Sequence, residues 1–240
     1  MQKIYTICRM LFLIVIIGLF LSSYSLADSD ISSVKDIIEK ANSGDIEAQL
    51  NLGYMYYEGY GVEQNYYKAV NWFIKAADKG YAEAKYSLGV MYEKGQGVKQ
   101  DYDKAIEWYT KAANQGLAIA QNNLGAMYEK GKGVKKDYDK AIEWYTKAAN
   151  QGLVIAQNNL SAMYVKGQGV KQDYNKAIEW FTKAANKGFV ESQYNLGFMY
   201  YNGLGVRQNM HKAKYFLGKS CNNGFQRGCD EYRKLNLKGY

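Results

Sequence analysis

The residues that could do chemistry are few and do not complement one another. His211 is the sole histidine. A nucleophile triad needs a histidine between a hydroxyl and a carboxylate, and a transition-metal centre needs several converging imidazole, thiolate or carboxylate ligands. His211 falls just inside an expected helix start and off the apolar stripe, so it reads as exposed. Ser32-Ser33-Val34-Lys35 matches the S-x-x-K string in which a serine is acylated, but the S-D-N and K-T-G strings that complete such sites are absent. Turns such as Gly131-Lys132-Gly133 lack the third glycine and the preceding strand of a dinucleotide loop. The carboxylates Asp101 and Asp103 recur as Asp137 and Asp139. Recurrence suits helix caps; a catalytic pair need occur once. No catalytic residue, cofactor or metal is expected.

Charge narrows the partners. The formal net charge is +8, with cations and anions interleaved as in Lys-Gln-Asp-Tyr-Asp-Lys and no basic run of five. This is a mixed solvated surface, not a nucleic-acid stripe. The basic balance points toward anionic partners such as envelope surfaces or acidic proteins. Residues 1–27 read as a secretory leader: Lys3 and Arg9, an apolar run from Met10 to Leu21, then Ser25-Leu26-Ala27 before Asp28. That run is shorter than the roughly 20 residues that span a bilayer, so cleavage is expected rather than a stable membrane insertion. The expected location is periplasmic or secreted. Loss of Lys3 and Arg9 leaves a net +6. Cys221 and Cys229 then remain, and an even pair in an exported chain suggests a disulfide.

The elements that must carry these residues follow a period of 36. Gly44, Gly80, Gly116, Gly152, Gly188 and Gly224 keep that interval, as do Trp72, Trp108, Trp144 and Trp180. Residues 82–117 match 118–153 at 29 of 36 positions, and 118–153 match 154–189 at 27 of 36. Such a period marks a repeat architecture. Within one unit, Ala84, Leu88, Met91 and Tyr92 predict a first helix from about Ala82 to Lys94. Gly95-Gln96-Gly97 stops it. Asp101 is placed to cap a second helix reaching about Gln115, with Ala105, Trp108, Tyr109, Ala112 and Ala113 on its apolar stripe. Gly53, Gly89, Gly125 and Gly197 recur inside first helices, where glycine costs about 1 kcal/mol against alanine. A recurring cost implies close helix contact there. The absence of proline fits an all-helical chain.

The string Ala-Gln-Asn-Asn-Leu-Gly-Ala-Met-Tyr-Glu-Lys-Gly-Lys-Gly-Val at 120–134, followed by Asp-Tyr-Asp-Lys-Ala-Ile-Glu-Trp-Tyr-Thr-Lys-Ala-Ala at 137–149, resembles the Sel-one-like repeat family of the tetratricopeptide-like superfamily. The resemblance implies an all-α, right-handed superhelical solenoid. Five helix-turn-helix units are expected at 46–81, 82–117, 118–153, 154–189 and 190–225, with a capping helix at 28–45 and another at 226–240. It implies a monomeric adaptor in protein complexes, often linked in exported bacterial members to host interaction or envelope assembly. Cysteine-rich exported members carry bridges between neighbouring helices, and the spacing of Cys221 and Cys229 is similar. Some such members are described as penicillin-binding or β-lactamase-like, which leaves a hydrolase as one alternative and a cell-wall or glycan-binding module as another.

The residues that vary between units suggest where a protein or peptide partner would bind. Leu50, Tyr54 and Tyr57 form their own face on the first helix, apart from Leu52 and Met55. The equivalent trios are Tyr86, Val90 and Glu93; Asn122, Ala126 and Glu129; Asn158, Ala162 and Val165; and Tyr194, Phe198 and Tyr201. First helices line the concave side of related solenoids, which implies a groove aromatic at both ends and small or polar in the middle. The competing reading has these aromatics filling gaps between neighbouring first helices.

Overall fold

The computed structural model describes residues 28–240, with side chains from residue 34 onward. The expected leader at 1–27 lies outside the described residues. These form twelve helices and no strand: α1 (Asp28–Ser43), α2 (Ile46–Glu58), α3 (Tyr66–Asp78), α4 (Ala82–Lys94), α5 (Tyr102–Asn114), α6 (Ala118–Lys130), α7 (Tyr138–Asn150), α8 (Val154–Lys166), α9 (Tyr174–Asn186), α10 (Val190–Asn202), α11 (Met210–Asn222) and α12 (Gln226–Leu237). Each helix packs on the next along the chain. The result is an all-α solenoid of helical repeats, with α2/α3 to α10/α11 as five pairs and α1 and α12 at the ends.

The turn within each pair closes on itself. In the second unit the Met91 carbonyl accepts from the amides of Gly95 and Gln96, and the Tyr92 carbonyl accepts from the Asp101 amide at 3.0 Å. The Asp101 carboxylate accepts from the Lys104 amide at 3.0 Å, satisfying a donor that the start of α5 would leave free. Asn65, Asp137, Asp173 and Asn209 do the same for α3, α7, α9 and α11. The second glycine of the turn has a different task. Gly97 sits at φ 70°, and a β-carbon there would lie 2.4 Å from the Tyr66 carbonyl group of the preceding unit. Both the backbone sign and the space therefore require glycine.

The core repeats with the sequence. Ala84, Leu88 and Met91 of α4 are sealed beneath Ala69, Val70 and Phe73 of α3, and Ala105, Tyr109 and Ala112 of α5 meet Ala120, Leu124 and Met127 of α6. Gly89 leaves room for the other helix of its unit: a β-carbon there would lie 2.5 Å from the Tyr109 ring. In the fourth unit Ser161 takes that slot, and it turns its hydroxyl to the Gln157 carbonyl at 2.7 Å. Units are also joined by buried glutamines. Gln49, Gln121, Gln157 and Gln193 donate their amides at 3.1–3.2 Å to the carbonyls of Ala41, Ala113, Ala149 and Ala185. Those carbonyls lie in the last turn of the preceding helix, past the reach of i+4 donors, and each accepts from the glutamine as well as from the amide of the glycine that follows the helix. At the far end a disulfide links Cys221 of α11 to Cys229 of α12, with Cα atoms 4.4 Å apart.

Candidate functional site

The face that varies between units lies on α2, α4, α6, α8 and α10, and the structure places its residues unequally. Leu50 is 8% exposed and belongs to the core with Phe73 and Leu88. It does not reach the surface, because its position on α2 faces the next unit, where Ala84, Leu88 and Met91 of α4 pack over it. Tyr54 meets the Phe73 ring edge-on at 5.0 Å, and its hydroxyl shares a 3.0 Å hydrogen bond with Ser87 of α4. Burial pushes its pKa up to about 12. Tyr57 donates to Gln96 Oε1 at 3.0 Å and packs edge-on to Tyr66. Its pKa is also raised by burial. Tyr86 leans on Tyr109, and Val90 is half-buried against the same cluster. At the other end Tyr194 packs edge-on to Phe225, and Tyr201 accepts from Lys238 Nζ at 3.2 Å. Phe198, 48% exposed, stands out from this face.

Much of the face is therefore packed rather than open, against second helices and turns and, at Tyr54 and Ser87, against the next first helix. Two features of this packing were not anticipated. Asn159 Nδ2 donates to Asn122 Oδ1 at 3.0 Å, and Asn195 Nδ2 and Ser192 Oγ both reach Asn158 Oδ1, at 3.3 and 3.0 Å. This amide ladder ties α6, α8 and α10 together, and the repeated Gln-Asn-Asn at 121–123 and 157–159 was its signal. Glu93 and Glu129 accept hydrogen bonds from Tyr109 and Tyr145 at 2.8 and 2.7 Å, from helix to helix within a unit. Along the slot of Tyr54, Val90, Ala126, Ala162 and Phe198, the middle is low and the ends are aromatic.

The other groups considered for chemistry are scattered. His211 is exposed at the start of α11. Asp101 and Asp137 serve as caps, and their neighbours Asp103 and Asp139 are exposed. Ser32 and Ser33 fall in α1, and their side chains lie outside the described ones. Among the described residues no group of three or more His, Cys, Asp or Glu side chains is placed to hold a metal ion. Open depressions of about 420 and 660 Å³ flank the turns of units two and four, each beside a lysine pair, Lys99 with Lys104 and Lys171 with Lys176.

Helical hairpins joined by glycine turns, with one further helix at each end, define an α-solenoid of helical repeats. The Sel1 repeat model matches residues 46–81, 82–117, 118–153, 154–189 and 190–225, and the chain belongs to the Sel1 repeat family. Proteins of this family are in general non-catalytic scaffolds for protein interaction. The fold is similar to that of a protective antigen present in uropathogenic Escherichia coli strains, which displays an SLR fold: TM-score 0.84 and 41% identity over 86% of this chain. The chain spans 44% of the length of that antigen. A Sel1 repeat protein from Oxalobacter formigenes superimposes with a TM-score of 0.74 and 32% identity, over 83% of this chain and 86% of its own. One from Klebsiella pneumoniae gives 0.54 and 26%, over 85% of this chain and 99% of its own. No curated protein matches the sequence.

Proposed function

We propose that this chain is an exported adaptor that holds a partner protein or peptide against the face of its first helices. Phe198 carries the reading. A half-exposed phenylalanine flanked by Tyr194 and Tyr201, beyond a stretch floored by Ala126 and Ala162, offers a large apolar anchor next to open space. Binding is centred on α10 and runs toward α6; Tyr54, Tyr57, Tyr86 and Val90 support the groove from within its wall. Export is supported by the leader-like residues 1–27 and by the Cys221–Cys229 disulfide, which fits a compartment outside the reducing cytoplasm. Among the described residues no helix is long and apolar enough to cross a membrane.

Cross-linking in intact cells, followed by capture on wild-type protein and on Phe198→Ala, tests the reading. A partner recovered by the wild type is expected to be lost from the variant. Equal recovery by a folded Phe198→Ala protein would remove α10 from the binding surface.

A further inference from the structure

Charge is not spread evenly along the solenoid. Residues 28–81 hold five lysines against nine carboxylates, 82–117 five against five, 118–153 six against four, and 154–189 five against two. Residues 190–240 hold eight lysines and arginines against three carboxylates. The balance climbs without reversal from −4 to +5.

From unit three onward the loss of carboxylates is legible on the second helices. Unit three carries Asp137, Asp139 and Glu143; unit four carries Asp173, Asn175 and Glu179; α11 and its cap carry Asn209, His211 and Tyr215 in the same slots. The structural duty of the first slot survives, since Asn209 still accepts from the Lys212 amide at 2.9 Å. The charge does not. In α5, α7 and α9 a glutamate four residues earlier meets the outer lysine: Glu107–Lys111 and Glu143–Lys147 at 2.6 Å, Glu179–Lys183 at 2.8 Å. In α11 the equivalent Lys219 lies over the Tyr215 ring instead, 4.8 Å from its centre, and Tyr215 is 55% exposed. His211, Tyr215 and Lys219 follow at intervals of four along one side of α11, all exposed, and Arg207, also exposed, lies in the turn just before the helix.

We propose that this outer side of α11 docks on an anionic lipid surface, with Arg207, Lys212 and Lys219 toward the phosphate-bearing headgroups. A line of cations alone would suit any polyanion. Tyr215 within it decides for lipid: a tyrosine has an apolar body and a polar tip, and such rings settle at the headgroup level of a bilayer. The acidic units 28–81 are repelled from the same surface, so the solenoid stands on its C-terminal units. Phe198 belongs to the other helix of the pair, so lipid docking and partner capture do not compete.

The test is co-sedimentation of the purified protein with vesicles of phosphatidylcholine alone, or with about a third phosphatidylglycerol, where each cation near an anionic leaflet adds several-fold to binding. Binding to the anionic vesicles only is expected. Asn209→Asp, His211→Asp and Tyr215→Glu together give α11 the residues that α7 already tolerates, and should weaken binding about a hundredfold. Asn65→Asp, Tyr67→Asp and Asn71→Glu make the same charge change at the other end of the solenoid and should leave binding within a few-fold. Binding to neutral vesicles as well, undiminished binding by the α11 variant, or an equal loss in the control would each overturn the proposal. Retention on a sulfated polysaccharide without vesicle binding would also overturn it, and would assign the surface to a soluble polyanion. If the triple variant fails to fold by circular dichroism, Tyr215→Glu alone should still lower vesicle binding several-fold, and no change would refute the assignment.

Discussion

Tyr109 donates its hydroxyl hydrogen to Glu93 across the second unit, 16 residues apart and 2.8 Å between oxygens. Tyr145 and Glu129 repeat the pair one unit on. Where the fourth unit has Phe181 it has Val165 in the glutamate slot, and the first and fifth units pair Phe73 with Tyr57 and Leu217 with Tyr201 by position. Tyrosine and glutamate thus occur together or not at all. Tyr109→Phe leaves the half-buried Glu93 without its donor and should cost about 1–2 kcal/mol. Adding Glu93→Val recreates the combination of unit four and should recover most of the loss in urea unfolding. Equal losses in the single and double variants would show the pair to be energetically idle.

The same hydroxyls set an alkaline limit. Burial first, then the neighbouring Glu93 and Glu129 carboxylates, hold the pKa values of Tyr109 and Tyr145 well above the ordinary 10.0, and burial lifts Tyr54 to about 12. Above pH 10 the unfolded chain releases these protons while the folded chain keeps them. Unfolding is then favoured as pH rises. The contribution is full below about pH 10 and is lost as pH climbs through the folded values. The melting temperature should fall steeply from about pH 10 upward, and ultraviolet titration should show a late group of tyrosines that ionises together with unfolding. A melting temperature level to pH 12 would contradict the buried hydroxyls.

Gly89 and Gly125 should differ in their tolerance of alanine. Alanine would gain helix propensity at both. At Gly89 the new methyl would stand 2.5 Å from the Tyr109 ring, at Gly125 2.9 Å from Tyr145. Buried rings in a packed core yield little, so Gly89→Ala should destabilise by about 1–3 kcal/mol and Gly125→Ala by less. Thermal melts of the two variants check the order; a stabilised Gly89→Ala would refute the close approach.

The disulfide acts on one end only. Closing a loop of nine residues restricts the unfolded chain by about 2.5 kcal/mol on the chain-entropy view. In a stack that is stable through nearest-neighbour contacts, Cys221→Ala with Cys229→Ala should loosen α12 and the end of α11 while α4 to α8 hold. Hydrogen exchange should rise in α12 and stay unchanged at Leu124 and Leu160. Uniform acceleration along the chain would show that the staple governs the whole solenoid.

How far these relations were legible depends on their range. The period of 36, the hairpin turns and the Asp101 cap were readable because each is set within a few residues by glycine freedom, capping or helical spacing. The first-helix face was harder. Spacing puts Tyr54 and Tyr57 on one side of α2, but their partners Ser87 and Gln96 stand 33 and 39 residues away. Whether a side chain fills a gap or faces a groove depends on the rise from one unit to the next, which no single unit encodes. Leu50 illustrates the cost: it shares the stripe yet is sealed by α4. The tyrosine–glutamate pairs were within reach, because their joint presence and absence is written in the repeats themselves.

The glycines pressed against the preceding unit have a consequence for the history of such a chain. Gly97 meets the backbone of Tyr66, and Gly169 meets that of Tyr138, so at these two points the joint between modules is main chain on main chain. A joint of that kind is nearly blind to which module stands on either side. Where such contacts meet, a 36-residue block can be gained or lost without a new backbone fit, and the reach of the molecule becomes a quantity that selection adjusts by counting.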